Sequence, residues 1–389
     1  MARQWYPKGA SVDTTGMRAL SRFPTHGLGY TFCDRERHIA RGSVQVLTDD
    51  FDYELPSGLI AQSPVEPRDS CRLLVLDRQT GSVEHRVFTD IEAYVRPGDL
   101  LVVNETRVLP ARLRGTKVDG GGAVEVLLLR DRGDDSWECL VRPGRRLRPG
   151  TKVEFGDGAL TAMIVGATDE GGVRIVQFRT ARGSFQDALH RLGEVPLPPY
   201  ITRPLEDPEL YQTVFSAGER SAAAPTAGLH FTQALLDRLV RDGVHIARVE
   251  LDVGLDTFRP VTEQRAEDHH IHTEHYRVPQ AAADAVAECR ERHGRVVAVG
   301  TTSVRALESA YSTEAGAVVA TEGPTSLFIL PGYHFNVVDA MVTNFHVPRS
   351  TLMMMVSAFA GRHAIMDAYA TAIGEHYRFL SFGDAMLII

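Results

Sequence analysis

No stretch of the 389-residue chain is apolar for long enough to cross a bilayer. The nearest candidate, Leu352 to Ala360, falls well short of the roughly 20 residues that a helical span needs, so no membrane contact is expected. Cysteine is scarce: Cys33, Cys71, Cys139 and Cys289 lie far apart without paired spacing. That pattern argues against a zinc knuckle, an iron–sulfur cluster or a disulfide framework, and reduced thiols in a cytoplasmic protein are the expectation. Positive charge is in deficit, with 42 Lys and Arg against 50 Asp and Glu and a formal charge of −8. A polyanionic partner must therefore be met by a local basic surface. Residues 1–46 lack both hydrophobic periodicity and the apolar run of a secretory signal, and read as a mobile extension.

Strand signals dominate the next part of the chain. From residue 73 to about 180, short alternating segments such as Val83 to Phe88, Val124 to Leu129, Leu160 to Val165 and Val173 to Phe178 are separated by Gly-rich turns. This spacing predicts a small β-barrel or sandwich. After Arg182 the pattern becomes mixed, with an apolar strand at Val296 to Val299, a helix from Val304, a strand at Val337 to Val342, and an almost wholly apolar helix from Thr351 that must be buried. The fold class is α/β: a mixed main domain over 47–72 and 181–389, with an all-β barrel inserted at 73–180.

Three stretches carry chemistry. In Ala224 to Thr232, Pro225 and Gly228 predict a sharp bend that presents an exposed His230 just before a helix capped by Thr232. Gly300-Thr301-Thr302-Ser303, after an apolar strand, offers backbone N–H groups and hydroxyls suited to a phosphate or carboxylate, though a satisfied helix cap is the more ordinary reading of these residues taken alone. It lacks both the P-loop lysine and the spaced glycines of a dinucleotide site. Asp268 to Tyr276 gathers His269, His272 and Glu274, but at no metal-ligand spacing, so hydrogen-bonding or catalytic roles rank above a metal site. On the β-rich segment, Arg142, Arg145, Arg146 and Arg148 suit phosphate-backbone contact, or form a solvated face.

Read together, Asp50-Phe51-Asp52-Tyr53-Glu54-Leu55-Pro56, Thr106-Arg107-Val108, Pro196 to Ile201, Tyr211 to Phe215, Ala223 to Phe231, Gly300 to Glu308, Val342 to Phe359 and Tyr377 to Ile388 resemble the S-adenosylmethionine:tRNA ribosyltransferase-isomerase family of queuosine biosynthesis. The resemblance implies transfer of the ribosyl group of S-adenosylmethionine to preQ1 at the tRNA wobble position, giving epoxyqueuosine with release of adenine and methionine. It implies no cofactor beyond that co-substrate, and tRNA as the macromolecular partner of what reads as a monomer. A paralogue acting on a free deazapurine nucleoside and a non-catalytic RNA-binding relative are the competing readings.

Such a reaction needs a base for the carbon beside the sulfonium, a proton donor for departing adenine and a dry, oriented pocket. His230, His269, His272 and His346 are the candidates for proton transfer, with Glu274 as orienter or base and Asp252 beside them. Thr301, Thr302, Ser303 and Arg305 are expected to hold the methionine carboxylate or the ribose. Phe231 and Phe345 are expected to face the sulfonium or stack on a base, with Pro225, Thr226, Gly228 and Asn344 completing the wall. Three residues depart from the family pattern: Asp252 where His is usual, Glu105 where Asn or Asp is, and Arg220 where Gly is.

Overall fold

Two sheets organise the computed structural model, which describes residues 45–168, 172–254 and 260–389. In chain order the elements are β1 (Arg72–Leu76), β2 (Val83–Val87), β3 (Leu100–Asn104), β4 (Thr106–Val108), β5 (Arg112–Lys117), β6 (Ala123–Asp131), β7 (Ser136–Arg142), β8 (Lys152–Phe155), β9 (Leu160–Ala167) and β10 (Val173–Thr180). Next come α1 (Phe185–Leu192), β11 (Gly193–Glu194), β12 (Ala217–Ser221), α2 (Gln233–Arg241), β13 (His245–Leu251), β14 (Glu274–Val278), α3 (Gln280–Glu291), β15 (Val296–Val299) and α4 (Thr301–Ser309). The chain ends with β16 (Tyr311–Ser312), β17 (Ala317–Val318), β18 (Thr321–Thr325), β19 (Ala340–Asn344), α5 (Thr351–Ala360), α6 (Arg362–Gly374) and β20 (Ala385–Ile388). The extension expected over residues 1–46 lies, up to residue 44, outside the described residues.

The larger sheet has nine strands in the order β18-β14-β13-β3-β15-β19-β20-β1-β2. Its centre, β13-β3-β15-β19, is parallel. Parallel strands covered on both faces read as continuous apolar runs, and Leu100–Asn104 and Val296–Val299 are buried throughout. Alternate residues feed two separate cores: Leu100, Val102, Val296 and Ala298 on one face, and Leu101, Val103, Val297 and Val299 on the other. The chain passes from β3 to β13 on one side, then returns to β15 and β19 on the other. Strand order thus reverses at β3, and the crevice outside the carboxyl ends of such strands is where open α/β sheets bind ligands.

The second sheet closes on itself. Strands β5, β6, β7, β10, β9 and β8 pair antiparallel in that order, and β8 returns to β5 through Thr116↔Glu154 and Lys117↔Val153. Inward and outward residues alternate, as in β9, where Leu160, Ala162 and Ile164 are buried and Thr161, Met163 and Val165 are exposed. Phe185 at the start of α1 packs on Phe178 at 4.9 Å between ring centres. The expected insertion boundary needs correcting: the segments at 73–76, 83–88 and 100–103 do not join the barrel, whose strands begin at Arg112. Strands β1, β2 and β3 pair within the nine-stranded sheet, β1 along β20 from Leu73↔Ala385 to Leu76↔Ile388. Their short spacing resembles barrel strands, but β1 is partnered by β20 and β3 by β13 and β15, all from beyond the barrel in sequence. Contacts gather Val46–Ile389 into one compact unit.

Barrel closure depends on Gly115, where an added Cβ would meet the Glu154 carbonyl oxygen at 2.4 Å and the Phe155 ring at 2.5 Å. Gly115→Ala is expected to lower unfolding free energy by about 2–3 kcal/mol, as overpacking against backbone does. Gly144→Ala, with no atom within 4 Å of its Cβ, serves as the near-neutral control in the same denaturant titration. Equal stability of the two variants would refute the closure argument.

Candidate active site

Two cavities open at the carboxyl ends of the central strands, with Leu352 lining both. The first is bounded by Thr226, Thr301, Thr302, Asn344, Phe345 and His346, among others. The second includes His269, His272, Glu274, Arg305 and Phe328. Gly300 adopts φ of 90° between β15 and α4, a conformation that favours glycine. This lets the helix begin at Thr301, three residues before the expected start at Val304, and aims the first turn of α4 at the first cavity. Thr302 and Arg305, at i and i+3, lie on one face of that helix. Thr302 Oγ1 and Arg305 Nη2 are both buried without a hydrogen-bond partner among the described residues.

Arg305 is otherwise held tightly. Its Nε donates to the Leu327 carbonyl at 3.2 Å, and Nη1 donates to Glu274 Oε2 in a very short contact. Glu274 Oε1 in turn accepts the Gly254 N–H at 2.9 Å. Side chains of both partners are only 6% exposed, so the pair is desolvated, and breaking either half would strand a buried charge.

His346 is carried by the loop after β19. Its N–H donates to the Tyr369 hydroxyl at 2.9 Å, the Tyr53 hydroxyl donates to its carbonyl, and its Nε2 lies 2.8 Å from Thr343 Oγ1. Nδ1 has no hydrogen-bond partner among the described residues. Burial pushes the imidazole down to about 3, so the ring is neutral at pH 7.

The structure moves several expected residues away from the cavities. His230 is not exposed: it is fully buried behind Asn344, with Nδ1 3.2 Å from Cys71 Sγ and Nε2 3.0 Å from Asn344 Nδ2. The bend does form, as a 3-10 turn over Thr226–His230, but Arg68 Nε binds the Leu229 carbonyl and Thr232 Oγ1 binds Asp69, pinning it to the 68–71 segment. That docking turns the imidazole inward. Phe231 packs edge-on against Phe88 in the core on the opposite sheet face, 4.9 Å between centroids, and lines neither cavity. Ser303 is consumed by its own helix, donating to the Val299 carbonyl at 2.8 Å. Gly228 lies against Phe215, where a Cβ would come within 2.6 Å, so its place is structural.

Asp252 lines neither cavity. Alternation along β13 and beyond puts it on the face of Arg248 and Glu250, opposite Val253, which does line the first cavity. Burial pushes its carboxyl up to about 6, opposed by nearby His275 and Arg220. The three departures share this edge: Arg220 pairs with Glu250 at 3.1 Å, and Glu105 with Arg248 at 3.4 Å. Residues 255–258 of the neighbouring motif lie outside the described residues. Of the histidine-rich segment, His269, His272 and Glu274 come together along the second cavity, with His269 also paired to Glu263, whereas His275 lines neither cavity and pairs with Glu322. Among the described residues no group of three or more His, Cys, Asp or Glu is placed to hold a metal ion. Arg145, Arg146 and Arg148 are exposed on the barrel, around a 3-10 turn at Gly144–Arg146, and Arg142 is half-buried at the end of β7.

Some of the wall was not anticipated. Tyr200 and Ser381 join the first cavity and share a hydrogen bond of 2.8 Å, while Phe328 and Met355 join the second. Tyr200 was visible as part of the rigid Pro196 to Ile201 run. Phe328 carries no local signal, because only the path of the chain after β18 brings it there.

A family model described as "Queuosine biosynthesis protein" matches residues 48–388. The chain belongs to that family. Among curated relatives, the S-adenosylmethionine:tRNA ribosyltransferase-isomerase of Symbiobacterium thermophilum is 56% identical over 340 residues, covering 87% of this chain and 99% of its own. The protein of the same name from Moorella thermoacetica is 55% identical over 341 residues, covering 88% and 99%. The crystal structure of S-adenosylmethionine tRNA ribosyltransferase from Thermotoga maritima is 41% identical, covers 87% of this chain and 100% of its own, and superposes with a TM-score of 0.50.

Buried neutral histidine makes stability depend on pH. The folded-state value of about 3 for His346 lies below the unfolded value of about 6.5, so its contribution is complete above about pH 6.5 and is lost as pH falls toward 3. His346→Asn should flatten the fall of unfolding free energy between about pH 6.5 and 4.5 by up to about 1.4 kcal/mol per pH unit. Denaturant titrations across that range test it, and an unchanged slope would show that the imidazole is not held neutral.

Proposed function

We propose that this protein is an S-adenosylmethionine:tRNA ribosyltransferase-isomerase that moves the ribosyl group of S-adenosylmethionine to the aminomethyl nitrogen of preQ1 in tRNA. A C–N bond forms to that amine, a C–C bond closes the carbocycle and a C–O bond completes the epoxide, while the C–N bond to adenine, the C–S bond to methionine and one C–O bond of the ribose ring break. Of the two protons lost, from the amine and from the carbon beside sulfur, one leaves on adenine and the other passes to solvent, giving epoxyqueuosine. The observation that carries the reading is the pair of adjoining cavities at the strand-order reversal, each lined by a residue that keeps a buried donor without a partner among the described residues, Thr302 Oγ1 and Arg305 Nη2. A ligand with separated polar ends, such as an amino-acid carboxylate and a ribose, satisfies both donors at once.

Within this reading Arg305 receives the methionine carboxylate, with Glu274 orienting the guanidinium. Thr301 and Thr302 face the ribose. His346 is the side chain best placed to take the proton from the carbon beside the sulfonium, because its Nδ1 is open and its ring neutral. Phe345 and Tyr200 form apolar wall, and His269 and His272 border the second cavity. The nine-stranded sheet carries the chemistry, while the barrel, with Arg142, Arg145, Arg146 and Arg148, receives tRNA phosphates. The protein acts in the cytoplasm as a monomer, with no cofactor beyond its co-substrate. No helix among the described residues is long and apolar enough to cross a membrane.

Incubation with S-adenosylmethionine and preQ1-containing tRNA is expected to release adenine and methionine in equal amounts, with a mass gain on the wobble base. Release only with a small nucleoside, or tRNA binding with no release, would overturn the assignment. Thr302→Val, which removes the unpartnered hydroxyl at constant shape, should weaken S-adenosylmethionine binding by about five- to tenfold in calorimetry. Replacing Arg145 and Arg146 by Ala should reduce the slope of log K against log salt for tRNA by about 1.4–1.8, and an unaltered slope would remove them from phosphate contact.

A further inference from the structure

The amide of Asn344 determines where hydrogens lie across the first cavity. Its Nδ2 is 3.2 Å from the Leu380 carbonyl oxygen and 3.0 Å from His230 Nε2. A carbonyl oxygen only accepts, so this atom must be the nitrogen, and the amide cannot be reversed without setting oxygen against oxygen. Both of its hydrogens are then committed, one to Leu380 and one to His230. His230 Nε2 must accept, so the neutral ring carries its hydrogen on Nδ1, facing Cys71 Sγ at 3.2 Å. Burial keeps both of these groups uncharged, lowering the imidazole and pushing the thiol up to about 12. On the other side Asn344 Oδ1 receives Thr226 Oγ1 at 2.9 Å. An amide oxygen has no hydrogen to give, so the only hydrogen of the Thr226 hydroxyl points away from the cavity.

We propose that His230 is a positioning residue, held as the Nδ1–H tautomer, which through Asn344 fixes the Thr226 hydroxyl as a hydrogen-bond acceptor toward the bound ligand. The partner for Thr226 is thus an N–H or O–H donor, either a ribose hydroxyl or an amine. Carboxylate and phosphate oxygens are disfavoured at this point of the wall, because they would face lone pairs. His230 itself moves no proton in the reaction: neither of its nitrogens reaches the cavity, and both are engaged. The identity of the donor rests on the proposed ribosyl transfer, whereas the tautomer rests on the buried geometry alone.

Two measurements test this. In protein labelled with 15N-histidine, His230 should show a protonated Nδ1 and an unprotonated Nε2, unchanged between about pH 5 and 8 as expected for a buried neutral ring. In kinetics, His230→Phe and Thr226→Val should each lower kcat/KM by about tenfold, and the double variant should lose little more, since both remove the same interaction. His230→Gln, which can still accept from Asn344, should restore most of what Phe loses, and its pH–rate profile should keep the wild-type limbs. Circular dichroism checks that each variant is folded. An Nε2–H tautomer, additive losses, an undiminished Thr226→Val enzyme, or disappearance of the basic limb in His230→Gln would each overturn the proposal. If wild-type protein releases no adenine or methionine, the functional reading fails while the spectrum still decides the tautomer.

Discussion

A guanidinium buried against a carboxylate, Arg305 with Glu274, is the constraint on which much of the site depends. Removing two charges from water is tolerated only when each is paired and further hydrogen-bonded, and here Leu327 and Gly254 supply those extra bonds. The pair joins α4 to β14, while the Gly254 N–H ties in the chain beyond β13, so three separate segments meet at one electrostatic point. Arg305 is thereby fixed with one nitrogen that has no partner among the described residues. Because α4 is a helix, fixing Arg305 also fixes Thr302 one turn earlier, and the donors in the two cavities keep a constant separation.

A second organising element is the choice of which histidines are spent on structure. His230 and His346 are both buried and neutral, yet they differ in what their ring nitrogens touch. Cys71 and Asn344 occupy both nitrogens of the first; Thr343 occupies one nitrogen of the second. Proton transfer requires an open nitrogen as well as a suitable basicity, so burial alone does not distinguish the two, and the hydrogen-bond inventory does. His269 and His272 lie nearer solvent, and His269 already has a carboxylate partner in Glu263.

Much of the architecture was legible from periodicity. Strands such as Leu160–Ala167 alternate cleanly, and Val296–Val299 is too uniformly apolar for anything except a buried strand. What periodicity cannot report is partnership. Strands β1 and β2 read like their barrel neighbours because a strand's pattern records burial on its two faces, not the identity of the strand beside it, and β1 pairs with β20 from the opposite end of the chain. The site was legible at the level of segments: the turns at 224–232, 300–303 and 343–350 do converge. Which side chain of each turn faces the ligand was less so. The inward rotation of His230 is set by Arg68 and Asp69, distant residues whose role no local rule announces, and Ser303 differs from Thr302 only by the face of α4 on which it falls. Asp252 illustrates the same point, since one step along an extended strand exchanges the cavity face for the ion-paired one.

The open sheet and the closed barrel carry different liabilities. A barrel sealed through β5 and β8 offers no unpaired strand, whereas a nine-stranded open sheet ends in β2 on one side and β18 on the other. Unpaired edges template the addition of foreign strands, which leads to aggregation. Both edges here are blunted: β2 is lined by exposed Glu84, His85 and Arg86, and β18 carries Gly323 followed by Pro324, which has no N–H to offer. The sheet that holds the two cavities can therefore remain wide and open at the ends of its central strands without its rims recruiting another chain.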